Sequence, residues 1–84
     1  GAVAAERFSV RGDLAAASFL PWVARHMGKL GLRGGVGMAG AEMVELRVEG
    51  PPDLIDALEM GVSLGPIEAW VESIDRAVMN DPGP

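Results

Sequence analysis

The chain has 84 residues, 49% apolar and 23% charged, a globular composition with room for one domain and one modest core. It has no cysteine and a single histidine, which excludes disulfide frameworks, thiolate chemistry and histidine-rich metal centres. A net charge of −5 has the wrong sign for bulk attraction to phosphate backbones, so nucleic acid is not an expected partner.

Phe8 and Val10 alternate with Arg7, Ser9 and Arg11, the period-two pattern of a half-buried strand that Gly12 ends. Phe19, Val23, Met27 and Leu30 then recur at helical spacing. Ser18 is placed as the N-cap of that helix and Pro21 falls in its first turn, where a missing N–H costs little. Gly28 and Gly31 loosen and stop it. Val36 and Met38 make a short second strand among glycines, and Gly40-Ala41 a turn. Val44, Leu46 and Val48 alternate with Met43, Glu45, Arg47 and Glu49 in the clearest strand of the chain.

Gly50-Pro51-Pro52-Asp53 opens a second helix with proline and an acid where the helix dipole favours them. Leu54, Ile55, Leu58 and Val62 give it an apolar face, and Asp53, Asp56 and Glu59 a solvated one; Gly65-Pro66 breaks it. Ala69, Val71 and Ile74 form a last strand whose spacing slips by one between Val71 and Ile74, the mark of a bulge. The order β-α-β-β-α-β with right-handed crossovers predicts an α+β, ferredoxin-like sandwich: a four-stranded antiparallel sheet with both helices on one face. Its expected core is Phe8, Val10, Phe19, Val23, Met27, Val36, Val44, Leu46, Val48, Leu54, Leu58, Val71 and Ile74. The domain spans 1–84, with frayed ends at 1–5 and 80–84.

No stretch reaches the roughly 20 apolar residues of a membrane span, and the N-terminal Gly-Ala-Val-Ala-Ala run lacks the basic region of a signal peptide. Arginine outnumbers lysine six to one, as in GC-rich coding. The expectation is a bacterial, cytoplasmic protein with no membrane partner.

A set of marks spans most of the chain. Val10-x-Gly12 ends the first strand, Phe19 closes the loop after it, and Leu30-Gly31-Leu32-x-Gly34-x-Val36 leads into the second strand. Val44-Glu45 and Glu49-Gly50 follow on the third strand, and Gly65-Pro66-x-x-Ala69-x-Val71 enters the fourth. In order and interval, from Val10 to Val71, this set resembles the acylphosphatases, small β-α-β-β-α-β enzymes that hydrolyse carboxyl-phosphate bonds.

The resemblance implies an arginine directly after the phenylalanine, whose guanidinium fork matches phosphate oxygens. It also implies an asparagine two residues after the valine of the second strand, which positions the attacking water. Leu20 and Met38 occupy those two positions. The substitution at Met38 does not depend on alignment, because Asn80 is the only asparagine in the chain and there is no glutamine. The family's anion loop is glycine-rich, so that backbone N–H groups can turn inward around phosphate. Here it reads Asp13, Leu14, Ala15, Ala16, Ala17, Ser18 and then Phe19. Alanine resists the positive-φ geometries that glycine permits, and Asp13 sets a negative charge where the family commonly has arginine.

The expected function is therefore an acylphosphatase-like module without efficient catalysis, serving in binding or structure and needing no cofactor or metal. The alternative is an active enzyme that hydrolyses a small acyl phosphate with an arginine from elsewhere, Arg11 or Arg33. Trp70 alternates with Ala69 and Val71, so it is expected on the open side of the sheet with Arg7, Arg11, Glu45, Arg47 and Glu72. Two readings stand there: arginine stems cover the indole, or Trp70, Arg47 and Arg11 anchor a protein partner or a second copy.

The remaining signals read as structure. Gly35-x-Gly37-x-x-Gly40 matches a dinucleotide fingerprint in letters but precedes a strand, not a helix. His26 is one turn from Trp22 and is expected to stack on it. Met27, Met38, Met43, Met60 and Met79 read as adaptable core filler.

Overall fold

The computed structural model describes residues 2–79, so the expected tail at 80–84 and Gly1 lie outside the described residues. The order is β1 (Ala4–Asp13), α1 (Phe19–Lys29), β2 (Arg33–Ala39), β3 (Met43–Gly50), α2 (Pro52–Leu64) and β4 (Trp70–Val78). The four strands form one antiparallel sheet in the order β2-β3-β1-β4, the ferredoxin-like arrangement. Ala4 and Ala5, expected to fray, belong to β1, where they pair with Gly50 and Glu49 of β3. Between Val71 and Ser73 the register of β4 shifts against Gly12 and Arg11, which is the bulge the spacing predicts. A Cβ at Gly12 would overlap the Trp70 carbonyl, so the bulge closes only around glycine.

Helix α1 ends in a complete Schellman motif. The Gly31 N–H donates to the Gly28 carbonyl and the Leu32 N–H to that of Met27, at 3.1 and 3.0 Å. Gly31 supplies the required left-handed residue at φ 70°. Leu32 and Met27 are both buried, which provides the apolar contact that accompanies the motif. At the other end the expectation fails: Ser18 makes no side-chain cap. Its hydroxyl donates instead to Glu68 Oε1 at 3.0 Å. Helix α2 begins as expected, with extended Pro51 before it and Pro52 in its first turn.

The core is centred on β1 and β3. Phe8, Val10, Leu46 and Val44 meet Phe19 and Val23 of α1 and Ile55, Leu58 and Val62 of α2. Val36, expected inside, is 46% exposed. It lies on an edge strand of glycines, where the helices give little cover. Leu54, Val71 and Ile74 are only partly buried, because α2 and β4 form the rim of the sandwich, while Leu14, Leu32, Ile55 and Val62 complete the core. Met38 and Met60 are exposed rather than core filler.

The acids of α2 are not simply a solvated face. Arg76 of β4 lies on the helix side, beside Phe8 in register, with its guanidinium 5.2 Å from the Phe8 ring centre. It donates two hydrogen bonds to Glu6 at 2.7 Å each, and Nη1 also donates to Asp56 and Glu59 at 2.9 and 2.8 Å. The hydrogen bonds to Glu6, followed by those to the other acids, hold the Arg76 pKa well above the ordinary arginine value against desolvation. One side chain thus fastens β4 to β1 and α2.

Candidate functional site

The loop that follows β1 is built against the turn between β2 and β3. Gly12 donates its N–H to the Glu42 carbonyl at 3.1 Å and Leu14 donates to that of Ala41 at 2.7 Å. The Leu14 side chain is buried in the core, at 4% exposure. Ala15, Ala17 and Ser18 are exposed and Ala16 is half-buried; the Ala16 carbonyl accepts the Phe19 N–H at 3.0 Å. Phe19 itself is fully buried at the start of α1. The loop is therefore anchored at both ends by apolar side chains, with two of its backbone donors committed to neighbouring carbonyls.

Electrostatically the loop is acidic. Asp13 is exposed at its start, and Glu68 stands over Ser18, whose hydroxyl binds it. Leu20 is the second residue of α1 and packs its side chain against the core. Met38 is 52% exposed on β2. The register of β2 shifts between Val36 and Met38: Val36 pairs with Leu46, which faces the core, whereas Met38 pairs with Glu45, on the opposite side of the sheet. The Gly37 irregularity thus takes Met38 off the face that Val36 occupies.

The two alternative arginines are placed away from the inside of the loop. Arg11 pairs with Met43 and Ser73 on the open side of the sheet. Arg33 begins β2, at the end remote from the β2–β3 turn, and at about 3.3 Å per residue it lies roughly 20 Å from Ala39. Its nearest acid is Glu49 at 4.0 Å.

Two concavities lie elsewhere. One of about 370 Å3 is on the open side of the sheet, lined by Ala5, Gly35, Arg47, Glu49 and Met79. The other, about 240 Å3, lies between α1 and β2 beside Val23, Met27, Leu32 and Val36. Both exist because Gly34 and Gly35 contribute no side chain to either surface.

Trp70 is on the open side, opposite Asp13, and is 66% exposed. That overturns the reading in which arginine stems cover it; the guanidinium that does sit over a ring is that of Arg76, over Phe8. Glu72, expected on the open face, falls at the bulge. His26 stacks on Trp22 with ring centres 5.4 Å apart and planes at 11°, as its spacing predicts. Gly35 and Gly37 lie in β2 and run into a hairpin, without the helix that a pyrophosphate site needs. Among the described residues, no group of three or more His, Asp or Glu side chains is placed to hold a metal ion. Likewise no described helix is long and apolar enough to cross a membrane.

The architecture has close counterparts. An acylphosphatase from Coxiella burnetii superposes with a TM-score of 0.84 at 25% identity, over 92% of this chain and 81% of that one. The acylphosphatase from Bacillus subtilis gives 0.84 at 22% identity, over 95% and 88%. Full-length HypF, in its phosphate- and nucleotide-bound form, matches 93% of this chain with 10% of its own, at a TM-score of 0.81 and 20% identity. No family model matches the sequence, and neither does any curated protein. The chain has an acylphosphatase-like fold.

Proposed function

We propose that this chain is an acylphosphatase-like module that works through binding or structure, with acyl-phosphate hydrolysis absent or strongly impaired. The observation that carries this reading is the surroundings of the two positions where the resemblance expects the phosphate fork and the water-positioning amide: Leu20 packs its side chain against the core, and Met38 pairs with Glu45 on the open side of the sheet. Asp13 and the Ser18-bound Glu68 add negative charge at the loop after β1, which repels phosphate more strongly than in bulk water. Neither alternative arginine stands beside Leu20: Arg33 is at the far end of β2, and Arg11 is on the open side of the sheet.

The experiment is hydrolysis of benzoyl phosphate by the pure protein. Loss of one preorganised donor typically lowers turnover on the order of 100–1,000-fold, and here both the phosphate fork and the water-positioning amide are replaced. The expected rate is close to the uncatalysed one. Turnover in the ordinary enzymatic range, roughly 1–1,000 per second, would overturn the proposal.

A further inference from the structure

We propose that the open face of the sheet docks a second copy of this chain, related by a two-fold axis that runs across the strands. The register sorts the charges of that face into rows. Arg7 of β1 stands directly opposite Arg47 of β3, with Ala77 of β4 on its other side. One step along the same face, Ser9 stands between Glu45 and Asp75. A basic row thus lies beside an acidic row, about 7 Å away at two residues per step.

These charges are not spent within the chain. The ion pairs among the described residues are Arg33 with Glu49 and Arg76 with its three acids; Arg7, Arg47, Glu45 and Asp75 enter none of them. Like charges directly opposite on neighbouring strands are destabilising, so the Arg7–Arg47 pair gains from an acidic surface laid over it.

A second copy supplies that surface in one orientation only. A two-fold axis parallel to the strands lays basic row on basic row. An axis across the strands, between the two rows, lays each basic row on the other copy's acidic row. Arg47 then faces Glu45 of the second copy, and Arg7 falls over its Ser9, between its Glu45 and Asp75. Both contacts occur twice, the self-complementarity that an isologous interface requires. The same operation brings Arg11 of the second copy over Ala5, next to Glu49, in the 370 Å3 concavity.

The size of the face sets the strength. Four strands spaced about 4.8 Å and roughly eight residues long offer on the order of 500 Å2 per copy, or about 1,000 Å2 in all. That is the lower bound for a specific interface, so the dimer is weak and reversible. The proposal is independent of whether the loop is catalytic.

Sedimentation equilibrium at concentrations up to about 1 mM, the weak end of specific association, tests it with a charge-reversal cycle. The unmodified protein should show a monomer–dimer equilibrium. Arg47→Glu alone and Glu45→Arg alone should each be monomeric, because each sets like charges together twice. Their equimolar mixture should associate again, since Glu at 47 then meets Arg at 45 and the native pair survives on the other side. Circular dichroism establishes that each variant is folded; if one is not, Arg7→Glu with Asp75→Arg repeats the cycle. A wild-type monomer throughout, a dimer that neither reversal weakens, or a mixture that stays monomeric overturns the proposal.

Discussion

Leu14 donates its backbone N–H to the Ala41 carbonyl at 2.7 Å while its side chain lies in the core. One residue therefore locks the loop after β1 to the β2–β3 turn by two different forces. The loop is thus fastened to the core through Leu14, while Asp13, Ala15, Ala17 and Ser18 stay exposed. Leu14→Ala should cost about 2–3 kcal/mol, the usual effect of truncating a buried leucine, as measured by urea unfolding. A cost under about 0.5 kcal/mol, typical of an exposed position, would show that the loop is not anchored there.

Arg76→Ala should destabilise the fold by about 3 kcal/mol, because Glu6 is left half-buried without its cation and two acids of α2 lose their partner. The deficit should not depend on pH across the neutral and mildly alkaline range. A group whose pKa is raised by folding contributes stability that is complete below its unfolded pKa and lost only as pH rises through the folded one. For arginine that range begins above about pH 12, so unfolding curves at about pH 7 and about pH 10 should give the same difference between variant and parent.

Gly61 and His26 should be coupled. A Cβ at position 61 would overlap the His26 imidazole, which is stacked on Trp22. Gly→Ala inside a helix ordinarily gains about 1 kcal/mol. That gain should be largely cancelled in the parent, where the ring must leave its stack, and should appear in full in a His26→Ala background. Equal effects of Gly61→Ala in the two backgrounds would rule the contact out.

Leu20→Arg with Met38→Asn tests whether the loop can still serve an anion. Titration calorimetry with inorganic phosphate should register binding, and adding Asp13→Asn and Glu68→Gln should strengthen it by about tenfold as the nearby negative charges are removed. Hydrolysis should recover less than binding, since position 38 pairs with Glu45 and so directs the new amide to the open side of the sheet. A folded four-site variant that binds no phosphate would place the anion site elsewhere.

The fold was legible wherever side-chain period and turn chemistry agreed. Phe8, Val10, Val44, Leu46 and Val48 alternate so regularly that strand, face and partner follow from them, and the slip after Val71 marks a bulge that is present. What could not be read was which elements sit at the rim. Val36 has the same local pattern as Val44, but only the strand order makes one an edge residue and the other central. The role of Arg76 was hidden for a related reason. Its partners Glu6, Asp56 and Glu59 come from two other elements, one 70 positions away in sequence, and no local period records such a meeting. Ser18 shows the converse: a good capping residue by type and position, its hydroxyl instead binds Glu68 across the loop. Leu14 could have been found as an apolar residue two places beyond Gly12, continuing the inward alternation of Phe8 and Val10.

The Arg76 cluster also bears on the order in which the domain can assemble. During synthesis β1, both helices and the β2–β3 hairpin emerge before β4 does. Until then Glu6, Asp56 and Glu59, which meet on Arg76 in the finished fold, carry three negative charges with no cation among them. A nascent chain that closes α2 onto β1 early brings like charges together, and Phe8 lacks the guanidinium that lies over its ring. The premature three-stranded form therefore lacks a contact that the finished fold has, and arrival of β4 supplies the cation and the second edge of the sheet in one step.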